Sequence, residues 1–413
     1  MVVSFPQLLN MDTEVQLRPT FRWLLNIGVP RSKLERVLRQ HPKTLGYSLS
    51  NNLQPTAAYL ENEVGVPSER LGRIVSSFPQ ILGLSVNHNL KPMVSYFLED
   101  VGVPPDRLDK MFYTFPQIFG LSLENNIRPH VDYLIHKVGI PQDKIGKAVA
   151  SFPHLLAYNL ENKVGNTVEY LTKDLKIPKD NVGKLVATHP QILGYSVEEK
   201  LLPTVRFLVD EVGVPETRIG EVVERCPKIL GCSIDKNLRP TIRFLLEEVG
   251  ILDKNVGTMV AKYPSLLGLS IDNNLRPKLN YLLEEVNVEQ NEIQELLVTC
   301  PQLLAYSLER RIKPRHRLLH GKGLKLGLHS MLAPTDIIFY QRYGEGLSRV
   351  PALTSTIGVE RPSHAGVQYY WNSDAKGRVK GPRKPQATEP GSSPNAGSRK
   401  IYRRRRKPSA EKS

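Results

Sequence analysis

A basic residue stands directly before a recurring proline at Arg18, Lys91, Arg128, Arg239, Arg276 and Lys313, and arginines lie three residues beyond such prolines at Arg22, Arg206, Arg243 and Arg317. Cations recurring at a fixed interval suit a ligand whose charge also repeats, a polyphosphate strand. The equivalent positions at Gln54, Gly165 and Leu202 carry no charge, so the ladder has gaps. A denser cluster, "RRIKPRHRLLHGKGLK" (residues 310–325), holds seven bases and no acid; Arg310, Arg311, Lys313, Arg315 and Arg317 are its candidate phosphate contacts. A third cluster near the C-terminus includes Arg403, Arg404, Arg405 and Arg406.

Other chemistries find little support. His316 and His320 have the i, i+4 spacing of a zinc pair but lack further ligands nearby, so no metal is expected. "GKGLKLG" lacks the GK[ST] ending of a phosphate loop and follows no strand. No nucleophile elbow, paired-carboxylate or CxxC pattern occurs, so neither an enzyme nor a cofactor is expected. Cys226, Cys232 and Cys300 occupy repeated positions filled elsewhere mainly by larger side chains, and read as small core residues. No apolar run reaches the ~18 residues of a membrane helix.

The net charge of +15 belongs to the C-terminal quarter. Residues 1–309 carry 33 Lys+Arg against 35 Asp+Glu, so the body's basic residues matter by position and not by excess.

The elements that place them form a repeat. One proline recurs at Pro6, Pro42, Pro79, Pro116, Pro153, Pro190, Pro227, Pro264 and Pro301, once after 36 residues and otherwise after 37. A second recurs from Pro19 to Pro314 and a third, in "VGVP" and its variants, from Pro30 to Pro215. Such a period marks a solenoid. After the second proline, Ile242, Leu245, Leu246 and Val249 form one helical stripe, closed by Gly250 as C-cap. An Asn such as Asn89 or Asn237 is expected to cap the start, with the proline in the first turn. The third proline opens a second helix, with Leu108, Met111, Phe112 and Phe115 on its apolar face, and the first proline ends it. "PQILGLS" leaves room for one short connecting helix. Phe78, Ile81, Leu82 and Leu84 are expected in the core.

The far end of the long helix is acidic, at Glu99 and Asp100, Asp210 and Glu211, Glu247 and Glu248, Glu284 and Glu285. Bases at the start and acids at the end oppose the helix dipole. Two readings remain open: a cationic rim facing phosphate, or ion pairs between neighbouring helices.

The pattern "FPQILGLS", then "NLRP…FL", then "VGVP…L…V" resembles the mitochondrial transcription termination factor (mTERF) family, closest to its plant organellar members, over roughly residues 1–320. The resemblance implies an all-α superhelical solenoid, right- or left-handed, of about nine ~37-residue three-helix repeats, with a positively charged concave track for double-stranded nucleic acid. It also implies a role in organellar gene expression, in transcription termination or pausing, transcript processing, splicing or ribosome assembly, with no catalysis. On this reading 1–320 is the solenoid, 321–348 a capping segment and 349–413 a disordered basic tail. The expected partners are double-stranded DNA or structured RNA, with organellar polymerase, splicing or ribosomal proteins besides, and no membrane. The expected compartment is the chloroplast, with the mitochondrion as alternative. No Arg- and Ser-rich presequence precedes Ser4-Phe5-Pro6, so a processed or truncated chain is expected. The alternative reading is a protein-binding scaffold that touches RNA through its tail.

Overall fold

The computed structural model describes residues 5–344. The expectations for the tail, Arg403 to Arg406 among them, lie outside the described residues. Numbered by the first proline, the nine repeats each open with a 3-10 turn such as Pro79–Gly83, in which the proline takes the first position. There its missing N–H would have had no intrahelical partner. The preceding Phe78, at φ −142° and ψ 76°, has left the helical region as a residue before proline must.

The long helix starts earlier than the asparagine predicts. In repeat 3, Val86–Leu90, Lys91–Ser95 and Tyr96–Asp100 run on as one rod. Its N-cap is Ser85, whose hydroxyl accepts from the His88 N–H. Asn89 instead reaches back to accept from the Ser85 N–H, so the two side chains cap reciprocally. The pairs Ser122–Asn126 and Ser233–Asn237 repeat this. The second proline therefore sits in the second turn, where its ring would collide with the carbonyl four residues back. The first turn avoids that by opening to π geometry, with Leu90 N–H donating to the Ser85 carbonyl.

Glycine ends the rod as expected, at φ +71° for Gly102, and the Val103 N–H returns to the Phe97 carbonyl. Repeats 5 and 8 place Lys176 (φ 58°) and Asn287 (φ 56°) in the same left-handed conformation. The second helix then runs ten residues, as in Lys179–Thr188.

Successive second helices pack one on the next, from Arg31–Gln40 through Gln290–Thr299, and the 3-10 turns stack in a parallel column. Glycine sets that spacing. A Cβ on Gly146, Gly183 or Gly257 would run into the backbone of Gly102, Gly139 or Gly213, the glycine ending the preceding repeat's long helix. Ile81, Leu82, Leu108, Met111, Phe112, Leu245 and Val249 are buried as expected; Phe78 and Leu84 pack against the core half-covered. Beyond residue 320, Leu328–Leu332 and Asp336–Tyr343 fold back on the last repeat.

Candidate nucleic-acid interface

Five of the six basic residues before the second proline meet carboxylates. Arg239 pairs with Glu211 at the end of the preceding repeat's long helix and with Asp235 one turn back. Arg276 repeats this with Glu248, Nε to carboxylate 2.9 Å, and with Asp272. Arg128 lies 3.9 Å from Asp100 and 3.1 Å from Glu124. Each guanidinium also lies over a ring of the preceding repeat: Arg128 over Tyr96 at 4.4 Å, Arg239 over Phe207 at 5.1 Å and Arg276 over Phe244 at 5.7 Å. Lys313 pairs with Glu309 and faces Tyr281 at 5.6 Å. At the junctions of Arg128, Arg239 and Arg276 the unusual charge order along the long helix thus matches base to acid between neighbours. The hydrogen bonds to Glu211 and Glu248 raise the pKa of Arg239 and Arg276 above the usual guanidinium value. These side chains keep 36–41% of their surface, so they are stapled without being sealed.

Among the described residues Arg18 pairs only with Glu14, within its own helix. Lys91, Arg22, Arg206, Arg243, Arg310 and Arg317 are exposed and form no ion pair among the described residues.

Two members of the 310–325 cluster prove internal. Arg315 is completely buried. It donates to the Met331 carbonyl at 2.8 Å and the Leu332 carbonyl at 3.3 Å, pairs with Asp336 at 2.5 Å, and stacks 4.5 Å over Phe339. Arg315 therefore cannot touch a phosphate; it occupies the buried position where most other repeats carry threonine. Arg311 donates to the carbonyls of Leu332 (2.9 Å) and Pro334 (2.7 Å) and lies 3.8 Å over Tyr306. Burial holds its pKa below the usual guanidinium range. Both cations close the C-terminal carbonyls of Leu328–Leu332, where positive charge is favoured. His316 shares its Nδ1 with the Tyr281 hydroxyl at 2.8 Å, and burial lowers its pKa.

A different cationic column lies on the second helices. Counting back from the first proline of the next repeat, position −6 holds Arg36, Arg73, Lys110, Lys147 and Lys184 in five successive repeats. Position −9, one turn earlier on the same face, holds Lys33, Arg70, Arg107 and Lys144. All nine are exposed. Lys33, Arg107, Lys110, Lys144, Lys147 and Lys184 form no ion pair among the described residues, while Arg70 pairs with Asp109 and Arg36 caps the Ser76 carbonyl. The contacts of Arg36 and Arg70 run to the next repeat's second helix, so equivalent positions are neighbours in space. In repeats 6 and 8 the −6 position is Glu221 and Glu295, and the column ends. Acids elsewhere in the repeats offset these bases, so the net charge of residues 1–309 hides the column. Aligning the copies on the first proline exposes it.

Among the described residues no helix is long and apolar enough to cross a membrane. No curated protein matches the chain. The mTERF family model does, once over residues 1–251 and again over 64–340, which together take in all nine repeats and reach into the last closing helix. The chain, with its stacked proline-punctuated units, belongs to the mTERF family, whose members are organellar helical-repeat proteins that bind nucleic acid.

Proposed function

We propose that this chain binds double-stranded nucleic acid along the second helices of repeats 1–5 and acts there, without catalysis, as a bound body that halts or positions the organellar expression machinery, transcription termination or pausing foremost. The observation that carries this reading is the two-wide column of exposed cations from Lys33 to Lys184, six of them without an ion-pair partner among the described residues. Packed helices lie about 8–10 Å apart, so five span roughly 40 Å, some 12 base pairs of duplex at about 3.4 Å each. Ammonium and guanidinium groups in two adjacent rows can follow a phosphate strand without reading its sequence. Arg22, Arg206, Arg243 and Arg317 add exposed cations on the long helices. Arg128, Arg239 and Arg276 serve first to hold neighbouring repeats together.

The test is charge reversal. A chain carrying Lys110→Glu, Lys147→Glu and Lys184→Glu should bind a 24-base-pair duplex at least 100-fold more weakly, with an unchanged unfolding midpoint. Unaltered affinity refutes the assignment of this face. The chloroplast is the compartment proposed, and crosslinking of bound nucleic acid in isolated organelles identifies both compartment and target.

A further inference from the structure

The 3-10 turns carry a recurring ring seat. The fifth residue of the turn is glycine in six copies and alanine in two, Ala157 and Ala305, with Asn10 in the first. In most copies a ring flanking the preceding turn covers it. A Cβ on Gly120 would strike the ring of Phe78, on Gly194 those of Phe152 and Tyr158, and on Gly231 that of Tyr195. The covering ring comes from one of two positions, either side of the preceding turn. At least one of these is aromatic in every other repeat: Phe5, His41 with Tyr47, Phe78, Phe115, Phe152 with Tyr158, His189 with Tyr195, Tyr263 and Tyr306.

Repeat 7 breaks the rule. Both its positions are cysteines, Cys226 and Cys232, and a Cβ on Gly268 in the next turn would meet nothing within 4 Å. At this place a cleft of about 910 Å³ opens between repeats 6, 7 and 8, a volume that accommodates a small organic ligand. Tyr195, seated over Gly231 in the preceding position, forms one wall and offers an aromatic face. Lys228 and Lys236 line the same cleft, and Lys236 is exposed and in no ion pair among the described residues. The one carboxylate in the wall, Asp272, is paired with Arg276.

We propose that this cleft binds a nucleotide, its base taking the seat of the missing ring beside Tyr195 and its phosphate facing the lysines. The fold itself specifies a planar aromatic group there, since other repeats fill the equivalent space with one. The cationic wall selects a ring that carries an anion over a neutral side chain. Stacking of a base on an aromatic side chain stabilises such complexes without reading base identity. The chemistry is the same for a free mononucleotide and for an unpaired nucleotide of a strand. The inference rests on the cleft alone and is independent of the duplex reading.

Calorimetric titration of the full chain with adenosine monophosphate, adenosine, inorganic phosphate and a single-stranded oligonucleotide tests it. Adenosine monophosphate should bind saturably and more tightly than adenosine or phosphate. The variant Cys226→Phe/Cys232→Tyr restores the rings that other repeats carry; it should lose at least tenfold in affinity while its unfolding midpoint does not fall. Lys236→Ala should weaken adenosine monophosphate severalfold and leave adenosine unchanged. Bound nucleotide should also slow alkylation of Cys232 in the unmutated chain. Saturation by the oligonucleotide alone, lost on refilling the seat, assigns the site to a strand and still supports it. No saturable binding of either ligand, or equal binding by the refilled variant, overturns the proposal. The Lys110→Glu/Lys147→Glu/Lys184→Glu chain should keep nucleotide binding, which separates failure of this inference from failure of the duplex reading.

Discussion

Replacing Gly183 by alanine pits two effects of opposite sign against each other. Gly183 lies inside the helix Lys179–Thr188, and alanine at an exposed helix interior would stabilise by roughly 0.5–1 kcal/mol. Its Cβ, however, would lie 1.9 Å from the Gly139 carbonyl oxygen, where atoms essentially never approach below 3.0 Å. The obstacle is backbone and cannot rotate away, so the two repeats must separate by about 1 Å. A gap of 0.5–1 Å forfeits a quarter to a half of the dispersion energy across an interface, and overpacking typically costs about 1–3 kcal/mol. The close approach therefore wins, with a net loss of about 1–2 kcal/mol and, for a folded body of this size, an unfolding midpoint lower by roughly 2–3 °C. Gly268→Ala is the control: it meets open space and should shift the midpoint by no more than about 1 °C. Thermal unfolding followed by circular dichroism reads both. Equal midpoints for the two variants, or a gain for Gly183→Ala, would refute glycine-on-glycine contact as the spacer of the stack.

Lys176→Gly removes a non-glycine residue at φ 58° and should stabilise by about 0.5–1 kcal/mol, seen as a raised unfolding midpoint. Arg239→Ala with Arg276→Ala should lower the midpoint only slightly, because partly solvated pairs are weak, and should leave the salt dependence of duplex binding unchanged. Buried Lys278, its Nζ held by Asn274 and the Leu304 carbonyl, has its pKa lowered to about 8 by burial. Between about pH 8 and its unfolded value near 10.4 the unfolded chain holds the proton and the folded chain does not, so stability rises with pH across that window. Chemical unfolding from pH 7.5 to 10 should show this rise in the unmutated chain and lose it in Lys278→Met.

The repeat, its three rods and its glycine caps were legible because each depends on residues within one period. Proline and glycine act through their own backbones, and Ile81 or Leu82 announces its burial by type. What was not legible depends on contacts between periods. Ser85 outcompetes Asn89 as N-cap only because the first turn widens to pass Pro92. Arg276 finds Glu248 across 28 residues, which turns an apparent phosphate ladder into a set of inter-repeat staples. Arg315 looks like the most available of cations in a basic run, yet the closing helices leave carbonyls that only a buried donor reaches. The second-helix column was readable in principle and hidden in practice, since acids elsewhere in the repeats, at the ends of the long helices above all, bring the net charge of residues 1–309 close to zero.

The central claim is that cations on successive second helices neutralise a duplex backbone. Binding of a 24-base-pair duplex measured from 50 to 400 mM salt tests it most directly, because each neutralised phosphate contributes about 0.9 to the slope of log K against log salt. With six or more contacts the unmutated chain should show a slope of about −5 or steeper, and Lys110→Ala with Lys147→Ala and Lys184→Ala should flatten it by about 2.7 and weaken binding roughly 100-fold near 0.15 M. A slope identical in the two chains would contradict the account.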